Sequence, residues 1–232
     1  MAEKLKSISR RIPWSLLLKA LAFGLAWLIL PKWLAMVLAV ILYFRPFFSA
    51  LRLLVPFAAL LVVGLFLPGV WWAAFYEFVI FFLILGLKEL IFIDRRGVYG
   101  LVFWLLNFMF FFQFFLRVEQ AQAASAFWGS LLLALGVFLL ARSFFAYERE
   151  EHKNNFQAGL YALLVWQLAW VLLFLPMSFF YKTGLLLLGA VTIFELLRAY
   201  GEGNLSRLRL RTVLTLFFVI GSLMLAANQW GI

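Results

Sequence analysis

The chain has 232 residues, of which 67% are hydrophobic, 20% aromatic and only 13% charged. A soluble domain is about half apolar and about a quarter charged, so this composition excludes a soluble globule and favours a membrane protein. The formal charge of +10 would suggest nucleic-acid binding in a soluble protein, but here the positions of the cations indicate membrane topology.

A membrane-spanning helix needs about 20 residues, so a chain of this length accommodates about nine spans joined by short connections. Little sequence is left for a separate soluble domain that would carry catalysis or bind nucleic acid. The sequence therefore predicts a single membrane domain over residues 1–232. Its predicted fold class is all-α, a polytopic integral membrane helical bundle of about nine transmembrane helices.

The first predicted helix, Trp14–Leu30, follows the basic segment 1–13. This order is typical of a signal peptide, but no small-residue cleavage site follows, so we interpret the helix as a retained span. Eight further apolar helices are predicted, over Trp33–Phe48, Leu53–Leu67, Val70–Ile93, Val98–Leu116, Ala124–Tyr147, Phe156–Leu175, Thr183–Tyr200 and Thr212–Gln229.

The breaks between these helices have local causes. Pro31, Pro68 and Pro176 each end an apolar run, and aromatic residues follow each proline within a few positions. Proline disfavours helix continuation, and tryptophan and tyrosine prefer the headgroup level of a bilayer. Three other connections, at residues 94–97, 148–155 and 201–211, are polar and compatible with turns.

The distribution of lysine and arginine predicts the topology. With a cytoplasmic N-terminus and nine crossings, the opposite face of the membrane holds only Lys32, Arg117 and Lys182. The cytoplasmic set is Lys4, Lys6, Arg10, Arg11, Arg45, Arg52, Arg95, Arg96, Arg142, Arg149, Lys153, Arg198, Arg207, Arg209 and Arg211. Lys19 and Lys88 lie inside apolar stretches, near enough to the cytoplasmic ends for their ammonium groups to reach the interface. The positive-inside rule therefore predicts an integral protein of the plasma (cytoplasmic) membrane with its C-terminus outside.

The second predicted helix is unusually short. Only about a dozen residues separate Trp33 from the Arg45-Pro46 pair, roughly 18 Å of helix against a hydrocarbon core of about 30 Å. The segment Trp33–Phe48 therefore either continues past the proline or is re-entrant. If it is re-entrant, the first helix cannot cross either, because every later cation cluster would otherwise change sides. The charge pattern permits nine crossings or seven, and we predict nine.

The second half of the sequence contains an internal repeat. Residues 125–147 and 178–200 align at an offset of 53, with informative matches at Phe127/Phe180, Gly136/Gly189 and Tyr147/Tyr200. We interpret the chain as tandem helical hairpins. An irregular N-terminal hairpin region covers residues 1–69, and three hairpin repeats cover residues 70–123, 124–176 and 177–232. Parallel repeats occur in transporters, but hairpins are also duplicated for structural reasons.

Three acidic residues, Glu77, Glu89 and Glu195, fall within apolar stretches, and intramembrane charge is by default a functional-site hypothesis. The offset of 53 places Glu89, Arg142 and Glu195 at matching heights in three successive hairpins. If the hairpins pack side by side, we expect Arg142 to bridge the two carboxylates. One interpretation is a charged gate or proton-coupled site, and the other is an interfacial ion cluster that fixes the packing register.

Three neutral polar residues also lie in the middle or outer half of predicted helices. Asn107 and Gln113 lie in a phenylalanine-rich run, and Gln167 lies between two tryptophans. In a functional interpretation, these side chains line a polar path or bind a lipid headgroup. In a structural one they hydrogen-bond a neighbouring helix, for about 1 kcal/mol or less. The candidate intramembrane polar cluster therefore comprises Glu77, Glu89, Arg142, Glu195, Asn107, Gln113 and Gln167.

No enzyme signature can be assembled from the embedded residues, because they provide no nucleophile–base pair, metal-ligand set or phosphate-binding loop. The chain has no cysteine and one histidine, His152, so we expect no catalytic, metal or cofactor site. We expect a non-enzymatic multi-pass protein that acts as a bilayer-embedded scaffold or as a subunit of a membrane assembly. Its expected partners are the lipid bilayer and a membrane protein or second copy, not nucleic acid. The alternative is a small transporter or channel for an ion, a small solute or a lipid.

Overall fold

The computed structural model describes residues 14–45, 53–89, 91–120, 123–148, 154–201, 203 and 206–227. Over these ranges the structure contains helices and no strand. The nine α-helices of this part of the chain are α1 Trp14–Ile29, α2 Lys32–Phe44, α3 Leu54–Phe66, α4 Trp71–Lys88, α5 Arg95–Gln120, α6 Ala123–Glu148, α7 Asn154–Leu173, α8 Phe179–Gly201 and α9 Arg207–Ala227.

Several sequence predictions concern residues outside these ranges. One group is the single histidine and the polar connection 148–155 in which it lies. The other groups are the last residues of the second predicted helix, the C-terminal residues and seven of the predicted cytoplasmic cations. The residues concerned are His152, Phe47, Phe48, Asn228, Gln229, Trp230, Gly231, Ile232, Lys4, Lys6, Arg10, Arg11, Arg52, Arg149 and Lys153. For these residues the sequence predictions stay predictions.

Six of the described helices, α4 to α9, are long and apolar enough to cross a membrane. An all-helical chain with six such helices agrees with the predicted helical membrane bundle. The helices α1, α2 and α3 are apolar but have only 16, 13 and 13 residues. At a rise of about 1.5 Å per residue they measure between about 20 and 24 Å, which is less than the usual hydrocarbon thickness.

The predicted helix Val70–Ile93 was too long, because α4 ends at Lys88. Beyond α4, the Ile91 backbone N–H donates to the carbonyl of Gly86, and the chain turns back against the helix. The Phe92 ring then occupies the position that a Cβ atom at residue 86 would take. Gly86 therefore provides the space for the ring at the end of α4.

The chain divides into two units between Leu106 and Asn107, within α5. In the first unit, α1 packs mainly along α4 and also contacts α2, while α3 packs on α4. The close approach of α1 to α4 depends on Gly24, because a Cβ atom there would lie 2.9 Å from Phe78 Cβ and 3.3 Å from the Ala74 carbonyl oxygen. Buried aromatic rings fill the core of this unit: Phe23, Tyr43, Phe57 and Phe81.

In the second unit, α6, α7, α8 and α9 pack in chain order, each against the next. The two glycines matched by the sequence repeat have comparable neighbours. A Cβ atom at Gly136 in α6 would meet the Phe110 ring of α5, and one at Gly189 in α8 would meet the Leu168 side chain of α7. Gly136 thus faces α5, the second helix of the predicted repeat 70–123. Gly189 faces α7, the second helix of the predicted repeat 124–176.

Candidate functional site

The Glu89 carboxylate forms an ion pair within the first unit. Glu89 directly follows α4, and its Oε1 atom lies 3.1 Å from Lys19 Nζ on α1. The same ammonium group lies 3.4 Å from the backbone carbonyl oxygen of Arg45 at the end of α2. Both side chains of the pair are largely buried. The Lys19–Glu89 pair therefore joins α1 to the C-terminal ends of α2 and α4 at one end of the unit.

The Lys88 side chain lies at the C-terminal end of α4, and the sequence prediction that its ammonium group reaches the membrane interface stays a prediction. Its side chain is buried, and its ammonium group donates a hydrogen bond to the backbone carbonyl of Tyr43 at the end of α2. The charge also lies 4.9 Å from the centre of the Tyr43 ring, which stacks on Phe57 of α3. The physical reason is that the exposed carbonyl groups at a helix C-terminus attract a cation. Lys88 therefore contributes to packing at the same end of the unit.

The opposite end of the first unit is held by Lys32, which was not among the candidate residues. Its Nζ atom lies 3.0 Å from the carbonyl oxygen of Leu65 and 2.6 Å from that of Leu67. These carbonyls belong to the last turn of α3 and the residue that caps it, where backbone acceptors have no partner within the helix. Lys32 therefore ties the start of α2 to the end of α3.

The Glu195 carboxylate forms an ion pair within the second unit. Glu195 Oε2 on α8 lies 3.3 Å from Arg209 Nη2 at the start of α9. This pair is more exposed than the Lys19–Glu89 pair. Arg142 is exposed on α6 and forms no ion pair with a residue that the structure describes. The Arg142–Glu195 half of the predicted bridge is therefore not formed, because Arg209 takes the place of Arg142, and the Arg142–Glu89 half stays a prediction.

Glu77 has a different environment from the other carboxylates. It is the seventh residue of α4, and none of its side chain is exposed. Neither carboxyl oxygen has a hydrogen-bond partner among the described residues. The indole nitrogen of Trp27 on α1 is likewise buried without a hydrogen-bond partner among the described residues, and the Trp27 ring and Glu77 Oε1 both border the Gly64 position. Glu77 is therefore a buried ionisable group that no local pair explains.

The three neutral candidates have two kinds of environment. Asn107 is fully buried in α5, and Gln113, two turns further along the helix, is also buried. The Gln113 side-chain nitrogen has no hydrogen-bond partner within the described ranges. Gln167 is exposed on the surface of α7. The structure thus places Gln113 and Gln167 in different settings within the second unit, one enclosed and one on its outer face.

The described surface contains two depressions of note. One, of about 370 Å³, is an apolar groove between α6 and α7 whose walls include Phe138, Gly159, Ala162 and Trp166. The other, of about 580 Å³, is formed by residues 91–96 next to the start of α5. Neither is lined by Glu77, nor by any other member of the candidate polar cluster.

The sequence reasoning missed Lys32, which binds carbonyls at the end of α3, and also Trp27 and Gly64, which lie at the position next to Glu77 Oε1. The position of Lys32 could have been predicted from the sequence, because Pro31 marks a helix start. A lysine at a helix start lies near the ends of neighbouring helices, where backbone carbonyls lack partners. Nothing in the local sequence distinguishes Trp27 or Gly64, because their neighbours come from distant helices.

A comparison with known proteins finds no family model, curated protein or solved structure that matches this chain.

Proposed function

We propose that the chain is a non-enzymatic multi-pass membrane protein that acts as a bilayer-embedded scaffold or as a subunit of a membrane assembly. One observation carries the proposal: two of the charged side chains within apolar segments are satisfied locally. Glu89 pairs with Lys19, and Glu195 pairs with Arg209. Pairs of this kind fix how helices pack, whereas a conducting path requires polar groups that converge on one cavity.

The apolar surfaces of the second unit support an interaction role. Of the described residues of α9 only Gly221 is buried, and leucine, valine, isoleucine and phenylalanine side chains cover the rest of its apolar length. The groove between α6 and α7 includes Gly159 and Ala162, which permit the close approach of another helix. Such apolar surfaces bind lipid or a partner helix.

The contacts at the two ends of the first unit support nine crossings over seven. Lys32 brings the start of α2 to the level of the end of α3, and Lys19 brings the end of α2 to the level of the end of α4. α2 therefore extends from the level at which α3 ends to the level at which α4 ends, which a re-entrant segment does not do. On the positive-inside rule, the end with Lys19 is cytoplasmic, in the plasma membrane, with the N-terminus inside and the C-terminus outside.

The test is purification of the tagged protein from native membranes in a mild detergent, with cross-linking and mass spectrometry to measure stoichiometry. The subunit proposal expects cross-links to a membrane protein at fixed ratio, or to a second copy of the chain. Recovery of a monomer without a stoichiometric partner overturns it.

A small transporter or channel is the second candidate, and the buried carboxyl group of Glu77 favours it. Its test is flux of protons, ions or small solutes into liposomes that contain the purified protein. The transporter interpretation expects flux that Glu77→Gln abolishes and that Glu89→Gln, the matched control, retains. Absence of flux in the unmodified protein overturns this interpretation.

A further inference from the structure

Glu77 lies inside the membrane-spanning helix α4, about 9 Å from its first residue along the helix axis. Its side chain is fully buried, and both carboxyl oxygens lack a hydrogen-bond partner in the described part of the chain. An unpaired ionised carboxylate is very unfavourable in such surroundings, where a group of this kind instead becomes neutral. The burial of Glu77 therefore requires either a bound cation or a bound proton.

The neighbouring helices leave a defined space around this carboxyl group. A Cβ atom built on Gly64 of α3 would lie 2.8 Å from Glu77 Oε1 and 2.8 Å from Trp27 Cη2 on α1. The carboxyl group and the indole ring therefore both border the Gly64 position, and the missing side chain of Gly64 makes room for both. The Trp27 indole N–H is itself buried and has no acceptor among the described residues.

The other ionisable groups of this unit are engaged elsewhere or lie at its ends. The neighbouring helix α3 contains no ionisable residue, and α1 contains only Lys19, which is paired with Glu89. On α4, the Tyr76 hydroxyl donates to the Leu105 carbonyl. The remaining ionisable residues on the helices of this unit are Lys32, Tyr43, Lys88, Arg95, Arg96 and Tyr99. Of these, Lys32 binds carbonyls at the end of α3, and Lys88 binds the Tyr43 carbonyl.

We propose that Glu77 is a proton-binding site inside the membrane, with the Trp27 indole N–H as the hydrogen-bond donor for its ionised form. On release, the O–H bond of the carboxylic acid breaks, the electron pair stays on the carboxylate, and a water molecule takes the proton as hydronium. Uptake reverses these steps. In the ionised form the indole ring turns so that its N–H group faces the carboxylate, in place of the Cη2–Cζ2 edge that borders the Gly64 position. This site is independent of the subunit proposal, since a scaffold, a subunit and a transporter each accommodate it.

The test is infrared spectroscopy of the full chain in lipid nanodiscs, in which a protonated carboxyl group has its own C=O stretching band. We expect a band that disappears in Glu77→Gln, persists in Glu89→Gln and shifts when the protein is transferred to D2O. The shift shows that the proton exchanges with water. A spectrum that Glu77→Gln leaves unchanged, or a band that D2O does not shift, overturns the proposal.

Two further measurements separate the site from a folding effect. A hydrophobic carbodiimide modifies protonated carboxyl groups in apolar surroundings, so it is expected to label the unmodified protein and Glu89→Gln, and Glu77→Gln is expected to lose the label. Trp27→Phe keeps an aromatic ring but removes the N–H donor, and we expect the acid band to persist to more alkaline pH in this variant. Labelling that Glu77→Gln retains contradicts the assignment of the site. An acid band with the same pH dependence in Trp27→Phe contradicts the role of the indole.

Discussion

Lys19 Nζ lies 3.1 Å from Glu89 Oε1, and this contact joins α1 to the end of α4 across 70 positions of the sequence. It lies at the end of the unit where the Arg45 carbonyl also accepts from Lys19. The partner of Glu89 thus comes from the first helix of the same unit. A double-mutant cycle measures what this pair contributes.

We expect Lys19→Gln and Glu89→Gln to be coupled by up to about 1 kcal/mol in the free energy of unfolding, because the pair is only partly exposed. Unfolding in mixed detergent micelles, followed by circular dichroism, measures this energy. The matched cycle with Arg209→Gln and Glu195→Gln is expected to give a smaller value, since that pair is more exposed. A coupling no larger than that of the control pair would contradict this account.

The partner of Glu89 illustrates what the sequence withholds. The repeat offset predicted only that Glu89, Arg142 and Glu195 lie at matching heights along their helices. Which helices are neighbours depends on tertiary packing, and the close approach at Gly24 brings α1 against α4. The ionisable residues within apolar runs were readable from the sequence, but their partners were not.

Lys32 gives the second prediction, because its ammonium group donates to carbonyls of Leu65 and Leu67 at the end of α3. Lys32→Met is expected to destabilise the protein by about 1.5 to 3 kcal/mol, the usual contribution of hydrogen bonds that involve a charged group. Thermal unfolding in detergent measures the loss. Lys182→Met is the control, because the Lys182 side chain donates no hydrogen bond to a described residue. Equal losses in the two variants would disprove a specific role for Lys32.

The helix positions were predicted well, but three helix starts were placed too late. α8 begins at Phe179 and not at the predicted Thr183, and the other two late starts share one cause. The predictions began at Val98 and Thr212, where the apolar runs begin, whereas α5 and α9 begin at Arg95 and Arg207. In both cases a capping residue was overlooked. Asp94 Oδ1 accepts from the Gly97 N–H at 2.9 Å, and Ser206 Oγ accepts from the Arg209 N–H at 3.1 Å. Aspartate and serine before a helix are recognised capping signals, so these starts were predictable.

Gly24 gives the third prediction. Gly24→Ala is expected to destabilise the protein by about 1 to 3 kcal/mol, because the added methyl group would press on the Phe78 Cβ atom and the Ala74 carbonyl. Gly159→Ala is the matched control, since the nearest atom to a Cβ there is Phe138 Cε2 at 4.0 Å. Alanine in place of a helical glycine is there expected to be neutral or stabilising by up to about 1 kcal/mol. Equal unfolding free energies in the two variants would contradict the close approach of α1 to α4.

The number of crossings gives the last prediction, and it uses the absence of cysteine from the sequence. Single variants Leu30→Cys, Gly69→Cys and Ile93→Cys place a thiol in the α1–α2, α3–α4 and α4–α5 connections. With nine crossings, a membrane-impermeant maleimide labels the first two in intact cells and the third only after permeabilisation. The Lys32 contacts favour this result, because they put the α1–α2 turn at the level of the α3–α4 turn. Labelling of Gly69→Cys without Leu30→Cys would instead indicate seven crossings with a re-entrant first pair.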